Sequence, residues 1–193
     1  MTIEQLFYPK SVAVIGSMSE GKLGQVLLKQ VVDGKFPGEL YAVNPKAQGL
    51  YGVPGYTSVA GIGKPVDMAV IVTPAASVPS VLDDCGKGGV GAAVVITSGF
   101  SEMGNKAGEI EVLEAARRNN IRFIGPNCAG MVCTSSSLFP TLEVHPPEGG
   151  MALISQSGAL GGVVTAWAAE HGIGRSKFVS YGNGTDLNQV ELL

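Results

Sequence analysis

Charge, aromatic rings and histidine are scarce in this chain of 193 residues: 15% are charged, 6% are aromatic, and there are one Trp and two His. Its 13 basic residues are outnumbered by 16 acidic ones and form no run, so nothing marks a nucleic-acid backbone or an anionic membrane surface as partner. Long apolar runs are also missing. The longest, Met68–Leu82 and Val90–Phe100, are broken by Thr, Pro and Gly and fall short of the roughly 18–20 residues a membrane span needs. The start, Met1-Thr2-Ile3-Glu4-Gln5, lacks the basic stretch and apolar core of a signal peptide. Cys85, Cys128 and Cys133 are odd in number and contain no CxxC pair, which fits free thiols in a reducing cytoplasm better than a disulfide or zinc framework.

Glycine is what the chain has in abundance. Its 28 glycines are about twice the usual share and are scattered through apolar runs, which predicts many tight strand-to-helix turns rather than a flexible linker. Val12–Ile15, Leu40–Val43, Met68–Val72, Ala92–Ile96 and Arg122–Ile124 read as strands. Helices follow at Leu23–Val32, Val78–Cys85 and Gly108–Asn119, with loop and one short helix near Val59 between the second and third strands. The strands are apolar on both faces, as expected of a parallel sheet covered on both sides by helices. The Pro- and Gly-rich stretch 144–150 reads as a linker. It divides a first α/β domain, 1–145, from a second unit, 146–193, with strands at Met151–Ile154 and Phe178–Ser180 and a helix at Ala159–Glu170. So short a unit cannot readily enclose its own core, so it is expected either to lean on the first domain or, as we favour, to be the front of something longer. Apolar surface near Met151–Trp167 then predicts self-association or a missing cover.

The chemistry concentrates at strand ends. Gly16-Ser17-Met18-Ser19-Glu20-Gly21-Lys22-Leu23-Gly24 joins a strand to a helix, where free backbone N–H groups and the helix dipole favour phosphate. Gly16 to Lys22 matches GxxxxGK, but Leu23 replaces the hydroxyl a P-loop needs for magnesium, and Met18 spoils the dinucleotide pattern GxGxxG. The second strand ends in Asn44-Pro45-Lys46, where an NAD enzyme would carry an acid. A lysine there suits a phosphate on the ribose, as in NADP or coenzyme A, unless it is simply a solvated surface lysine. Val72-Thr73-Pro74, Ile96-Thr97-Ser98 and Gly125-Pro126-Asn127 complete the strand ends that converge on one crevice in this kind of sheet. Ser155 and Ser157 lack the flanking glycines of a hydrolase elbow. Glu143, Glu148 and Glu170 have no evident partner.

Together Ser11–Gly16, Val43–Lys46, Ile71–Pro74, Gly125–Cys128 and Ile154–Leu160 resemble the N-terminal region of the NDP-forming acyl-CoA synthetases, the family of ADP-forming acetate–CoA ligases and succinyl-CoA ligase alpha subunits. The resemblance implies a Rossmann-like CoA-binding domain followed by the beginning of a flavodoxin-like domain. It implies coenzyme A contacts at Gly16, Ser17, Met18, Ser19, Glu20, Gly21, Lys22, Gly24, Asn44, Pro45, Lys46, Val72, Thr73, Pro74, Ile96, Thr97, Ser98 and Asn127. It also implies that Ser155, Gln156, Ser157 and Gly158, at a helix start, hold a phosphate; plain helix capping by these serines is the simpler alternative. The family passes an acyl group of a small carboxylic acid through an acyl phosphate to CoA, and phosphate by way of histidine to a nucleoside diphosphate. The ATP or ADP and magnesium belong to an ATP-grasp domain or beta subunit. Neither His145, in the linker, nor His171, at a helix end, suits the phosphorylated histidine, so the chain alone is expected to bind without turnover. A CoA-sensing module of a multidomain acyltransferase and an NADP-dependent oxidoreductase remain as other readings.

Overall fold

The computed structural model describes residues 3–193, so the expectation for the Met1-Thr2 start lies outside it. A short helix α1 (Glu4–Phe7) precedes β1 (Ser11–Gly16), α2 (Leu23–Asp33), β2 (Glu39–Val43), β3 (Gly55–Tyr56), β4 (Met68–Val72), α3 (Val78–Lys87), β5 (Ala92–Val95), α4 (Lys106–Arg118) and β6 (Arg122–Ile124). These strands form one parallel sheet in the order β3-β2-β1-β4-β5-β6. That order is the doubly wound Rossmann arrangement, in which the order of the strands reverses between β1 and β4 and leaves a crevice at their carboxyl ends. Every residue of β1 and β5 is buried, which explains why their sequences are unbroken apolar runs. One face packs on α3 and α4 through Leu82, Val112 and Phe123. The other packs on α2 through Leu27, Leu28 and Val31.

The remaining elements are β7 (Gly130–Cys133), β8 (Glu148–Ser155), α5 (Gly158–Glu170), β9 (Arg175–Ser180) and α6 (Gln189–Leu192). They make a second sheet, β7-β9-β8, in which β7 runs antiparallel and β8 parallel to β9. Met131, Leu138, Val179 and Leu187 join the core on the α2 face of the large sheet, so the second unit leans on the first. The segment after β9 lies along β6: Leu187 donates its N–H to Phe123 O and Thr185 to Gly125 O, while Asp186 pairs with Arg122 at 2.8 Å. This covers the edge strand.

The sequence reading of 144–150 as a linker needs correction from Glu148 onward, where β8 begins. A Cβ on Gly149 would lie 2.3 Å from Gly174 C, and one on Gly174 would lie 2.1 Å from Glu148 O. Those glycines serve close backbone approach between β8 and β9, not flexibility. Gly130–Cys133, to which the sequence reading assigned no element, forms β7, and the short helix expected near Val59 is a single 3-10 turn at Ala60–Ile62.

Candidate functional site

A cleft of about 650 Å³ opens at the crevice between β1 and β4, within the range of small-ligand sites. Gly16, Ser17, Met18 and Ser19 form one wall, Asn44, Pro45 and Lys46 the second, and Val72, Thr73 and Pro74 the third. The turn is shaped by two glycines. A Cβ on Gly16 would meet Val72 Cγ1 at 2.6 Å and Val72 O at 2.9 Å; one on Gly24 would meet Ser17 O at 2.6 Å. Only glycine lets α2 start this close to the end of β1. Lys22, at the N-cap of α2, supplies no side-chain acceptor. Gln25 N–H is taken by Ser17 O at 3.1 Å, which leaves those of Leu23 and Gly24, without an acceptor among the described residues, as the kind that an anion satisfies. Met18 is 2% exposed and packs into the core, so the residue that spoils GxGxxG is a hydrophobic anchor for the loop.

Asn44 is buried and spends its side chain locally. Its Oδ1 accepts from the N–H of Lys46 at 3.2 Å and of Gln48 at 3.1 Å, and its Nδ2 donates to Gln48 O at 2.9 Å. The result is a turn that presents Lys46, which is exposed and in no ion pair among the described residues. The other charged lining residue, Asp84, accepts the N–H of Val59 at 2.6 Å and of Ala60 at 3.4 Å, so its carboxylate is engaged in holding the adjacent wall. Thr73 Oγ1 is buried without a partner.

Glu20, Gly21, Lys22 and Gly24 sit beside this cleft rather than on its surface, and Ile96, Thr97 and Ser98 lie one strand away. Asn127 lines a second cleft of about 510 Å³ together with Gln156, Ser157 and Gly158. Ser155 borders that turn, its Oγ donating to Ser157 O at 2.8 Å. Ser157 Oγ accepts from Leu160 N–H at 3.2 Å, so both hydroxyls shape the start of α5. No charged side chain lines the second cleft; the N–H groups of Gly158 and Ala159 have no acceptor among the described residues. Cys128 also lines it, but its thiol donates to Val95 O at 3.4 Å and burial pushes it up to about 12, which removes it as a nucleophile.

Sequence reasoning did not single out Gln48, Thr57, Ser58, Ser77, Ser80 and Asp84 in the first cleft, or Leu142 and Asn183 in the second. Thr57 and Ser58 follow β3, a two-residue strand too short to show a period, and so carried no signal. No group of three or more metal-ligating side chains exists among the described residues, and no helix of theirs is long and apolar enough to cross a membrane.

Residues 10–134 match the family model described as CoA binding domain. The chain belongs to the CoA-binding domain family. Residues 148–193 match the model of the succinyl-CoA ligase like flavodoxin domain. Over 193 residues the chain is 46% identical to an ADP-forming acetate–CoA ligase of Methanocaldococcus jannaschii, covering 99% of itself and 27% of that protein. It is 43% identical to the alpha subunit of ADP-forming acetate–CoA ligase I of Pyrococcus furiosus, with 100% and 44% covered. The solved acetyl-coenzyme A synthetase 1 of Ca. Korarchaeum cryptofilum, in complex with phosphate and ADP, superposes with a TM-score of 0.95 at 40% identity, over 98% of this chain and 41% of that one. The chain thus spans less than half the length of these relatives.

A CoA-binding domain must hold phosphates and a long, mostly uncharged arm. The first cleft offers backbone donors at the Gly16 turn, one free cation at Lys46, and an apolar wall from Ile15, Val43, Val72 and Val81. The residues present fit that ligand.

Proposed function

We propose that this chain is the coenzyme A-binding part of an ADP-forming acyl-CoA synthetase, which interconverts acyl-CoA, ADP and phosphate with carboxylate, CoA and ATP. The observation that carries the proposal is the unpaired Lys46 held by the Asn44 turn across the cleft from the Gly16–Ser19 turn. Lys46 pairs with the phosphate on the CoA ribose, and the backbone donors of the glycine turn take the remaining phosphates. Val72, Thr73 and Pro74 line the path of the uncharged arm. Relatives named as ligases for acetate support a small carboxylic acid as the second substrate. The second cleft, with Asn127 and the Gln156–Gly158 turn, is the place for a phosphate on its way through the phosphohistidine. That histidine, and the ATP-grasp part with its ATP or ADP and magnesium, lie outside these residues.

The division into 1–145 and 146–193, assembly into an oligomer and a cytoplasmic setting belong to the same proposal. The two family matches, 10–134 and 148–193, support the division.

Calorimetric titration with CoA, dephospho-CoA and NADPH tests this reading. CoA binds, and either removing its ribose phosphate or substituting Lys46→Ala weakens binding by about 1–3 kcal/mol. Dephospho-CoA is indifferent to Lys46→Ala. NADPH binding without CoA binding refutes the proposal.

A further inference from the structure

The two clefts differ in lining, and one residue touches the backbone of both. Thr97, 7% exposed, follows β5. Its Oγ1 donates to Thr73 O at 2.8 Å, on the floor of the first cleft. Its own carbonyl accepts the N–H of Asn127 at 2.8 Å, on the wall of the second. We propose that Thr97 couples the two clefts energetically, so that coenzyme A in the first cleft orders the Asn127 wall of the second.

Three features leave little slack in this path. Asn127 is held at φ 57, a conformation uncommon for a residue with a side chain, so its position depends on its neighbours. The turn before it is in contact with β5: a Cβ on Gly125 would lie 2.3 Å from Val95 O. The loop after Thr97 is tied to the same wall by Asn183. Asn183 Nδ2 donates to Glu102 Oε2 and to Glu109 Oε2, each at 2.8 Å, and Asn183 Oδ1 accepts from Asn127 Nδ2 at 3.2 Å. Glu102 Oε1 in turn accepts the N–H of Gly99 at 2.5 Å and of Phe100 at 3.1 Å. The segment 97–102 is thus gripped at both ends by groups that line the second cleft. A ligand that fixes Thr73 fixes Thr97 and, through it, Asn127. By reciprocity, occupation of the second cleft then favours ligand in the first.

This inference rests on the proposal that the first cleft takes coenzyme A, and the experiment separates the two. Hydrogen exchange at the Asn127 amide is followed by NMR with and without saturating CoA, in the wild-type chain and in Thr97→Val and Thr97→Ser, with binding recorded by calorimetry. Val keeps the shape and the Thr97 carbonyl but removes the donor to Thr73; Ser retains it. CoA slows exchange at Asn127 by about fivefold or more in the wild type and in Thr97→Ser, while Thr97→Val loses this ligand-dependent slowing whatever its basal rate. A merely structural role would alter the basal rate and leave the response to CoA intact. If CoA binds the wild type and Asn127 exchanges equally fast with and without it, or if Thr97→Val responds as the wild type does, the coupling is refuted. Failure of the wild type to bind CoA at all refutes the functional proposal, and the coupling falls with it.

Discussion

Replacing Gly24 with Ala sets two well-characterised effects against each other at the mouth of the cleft. In a helix interior Ala is favoured over Gly by about 1 kcal/mol, and by less at the second position of α2 that Gly24 holds, so propensity alone makes the variant more stable. The added Cβ, however, would sit 2.6 Å from Ser17 O, 2.9 Å from Gly16 C and 3.0 Å from Ser17 N. All three are backbone atoms of the turn, and none can swing aside as a flexible side chain would. Overpacking of this kind costs about 1–3 kcal/mol, and a backbone collision belongs at the upper end. The steric effect wins, leaving a net loss on the order of 1–2 kcal/mol. In a chain of this length each kcal/mol lowers Tm by roughly 2–4 °C. The relief available is retreat of α2 from the turn, which misaligns the first-turn N–H groups. CoA affinity therefore falls by about tenfold or more, the equivalent of one charge-assisted hydrogen bond. Gly21→Ala is the control. Gly21 has φ 72 and open space around its would-be Cβ, so Ala costs about 1–2 kcal/mol of backbone strain there without touching the cleft. Thermal unfolding and calorimetry on both variants decide the matter: a Gly24→Ala chain with raised Tm and unchanged CoA affinity refutes the steric argument.

Two further outcomes follow from charged groups that the fold engages. Burial alone would raise the Glu109 carboxyl, but hydrogen bonds from Ser101, Thr185 and Asn183 outweigh it and hold the group below its ordinary 4.5. Its folded value is thus below its unfolded one, so its contribution is complete above about pH 4.5 and is lost as pH falls through the folded value. Tm of the wild type should drop more steeply below that pH than Tm of Glu109→Gln, and equal slopes would contradict the assignment. Arg175 is fully buried, with Nη1 on Thr165 Oγ1, its guanidinium 5.7 Å from the Phe178 ring centre, and Nε and Nη2 without partners. An unpaired buried cation is costly, so Arg175→Met should match or exceed the wild type in Tm. A loss of more than about 1 kcal/mol would mean that the guanidinium has a partner.

The large sheet was legible because burial on both faces writes its strands as continuous apolar runs: Met68–Val72 is a strand over the range expected, and β1, β2 and β5 shift by only a residue or so. The rule that ligands gather at the carboxyl ends of parallel strands likewise brought the glycine turn, Asn44–Lys46 and Val72–Pro74 into one cleft. At β5 the same rule points to Thr97, which lies one strand beyond the lining of that cleft with its hydroxyl facing Thr73 O. What the sequence concealed depends on long-range pairing. Gly130–Cys133 is a four-residue strand in a Ser-rich region, and it is a strand only because β9 arrives some 45 positions later to pair with it. Gly149 imitates a linker residue because glycine marks both slack chain and tightly packed chain, and only the approach of Gly174 tells which it is.

The β7–β9 pairing bears on how the molecule can be cut or bent. Val132 opposite Phe178 and Met131 opposite Val179 stitch a segment from before the Pro-rich stretch to one after it. Severing the polypeptide at residue 145 would separate partners of a single ladder, leaving each fragment with an unsatisfied strand edge. For the same reason the Pro-rich stretch is no free hinge: any rocking of one unit against the other must pivot about that ladder, and the second cleft, whose walls come from both sides of it, can widen only as far as those hydrogen bonds allow.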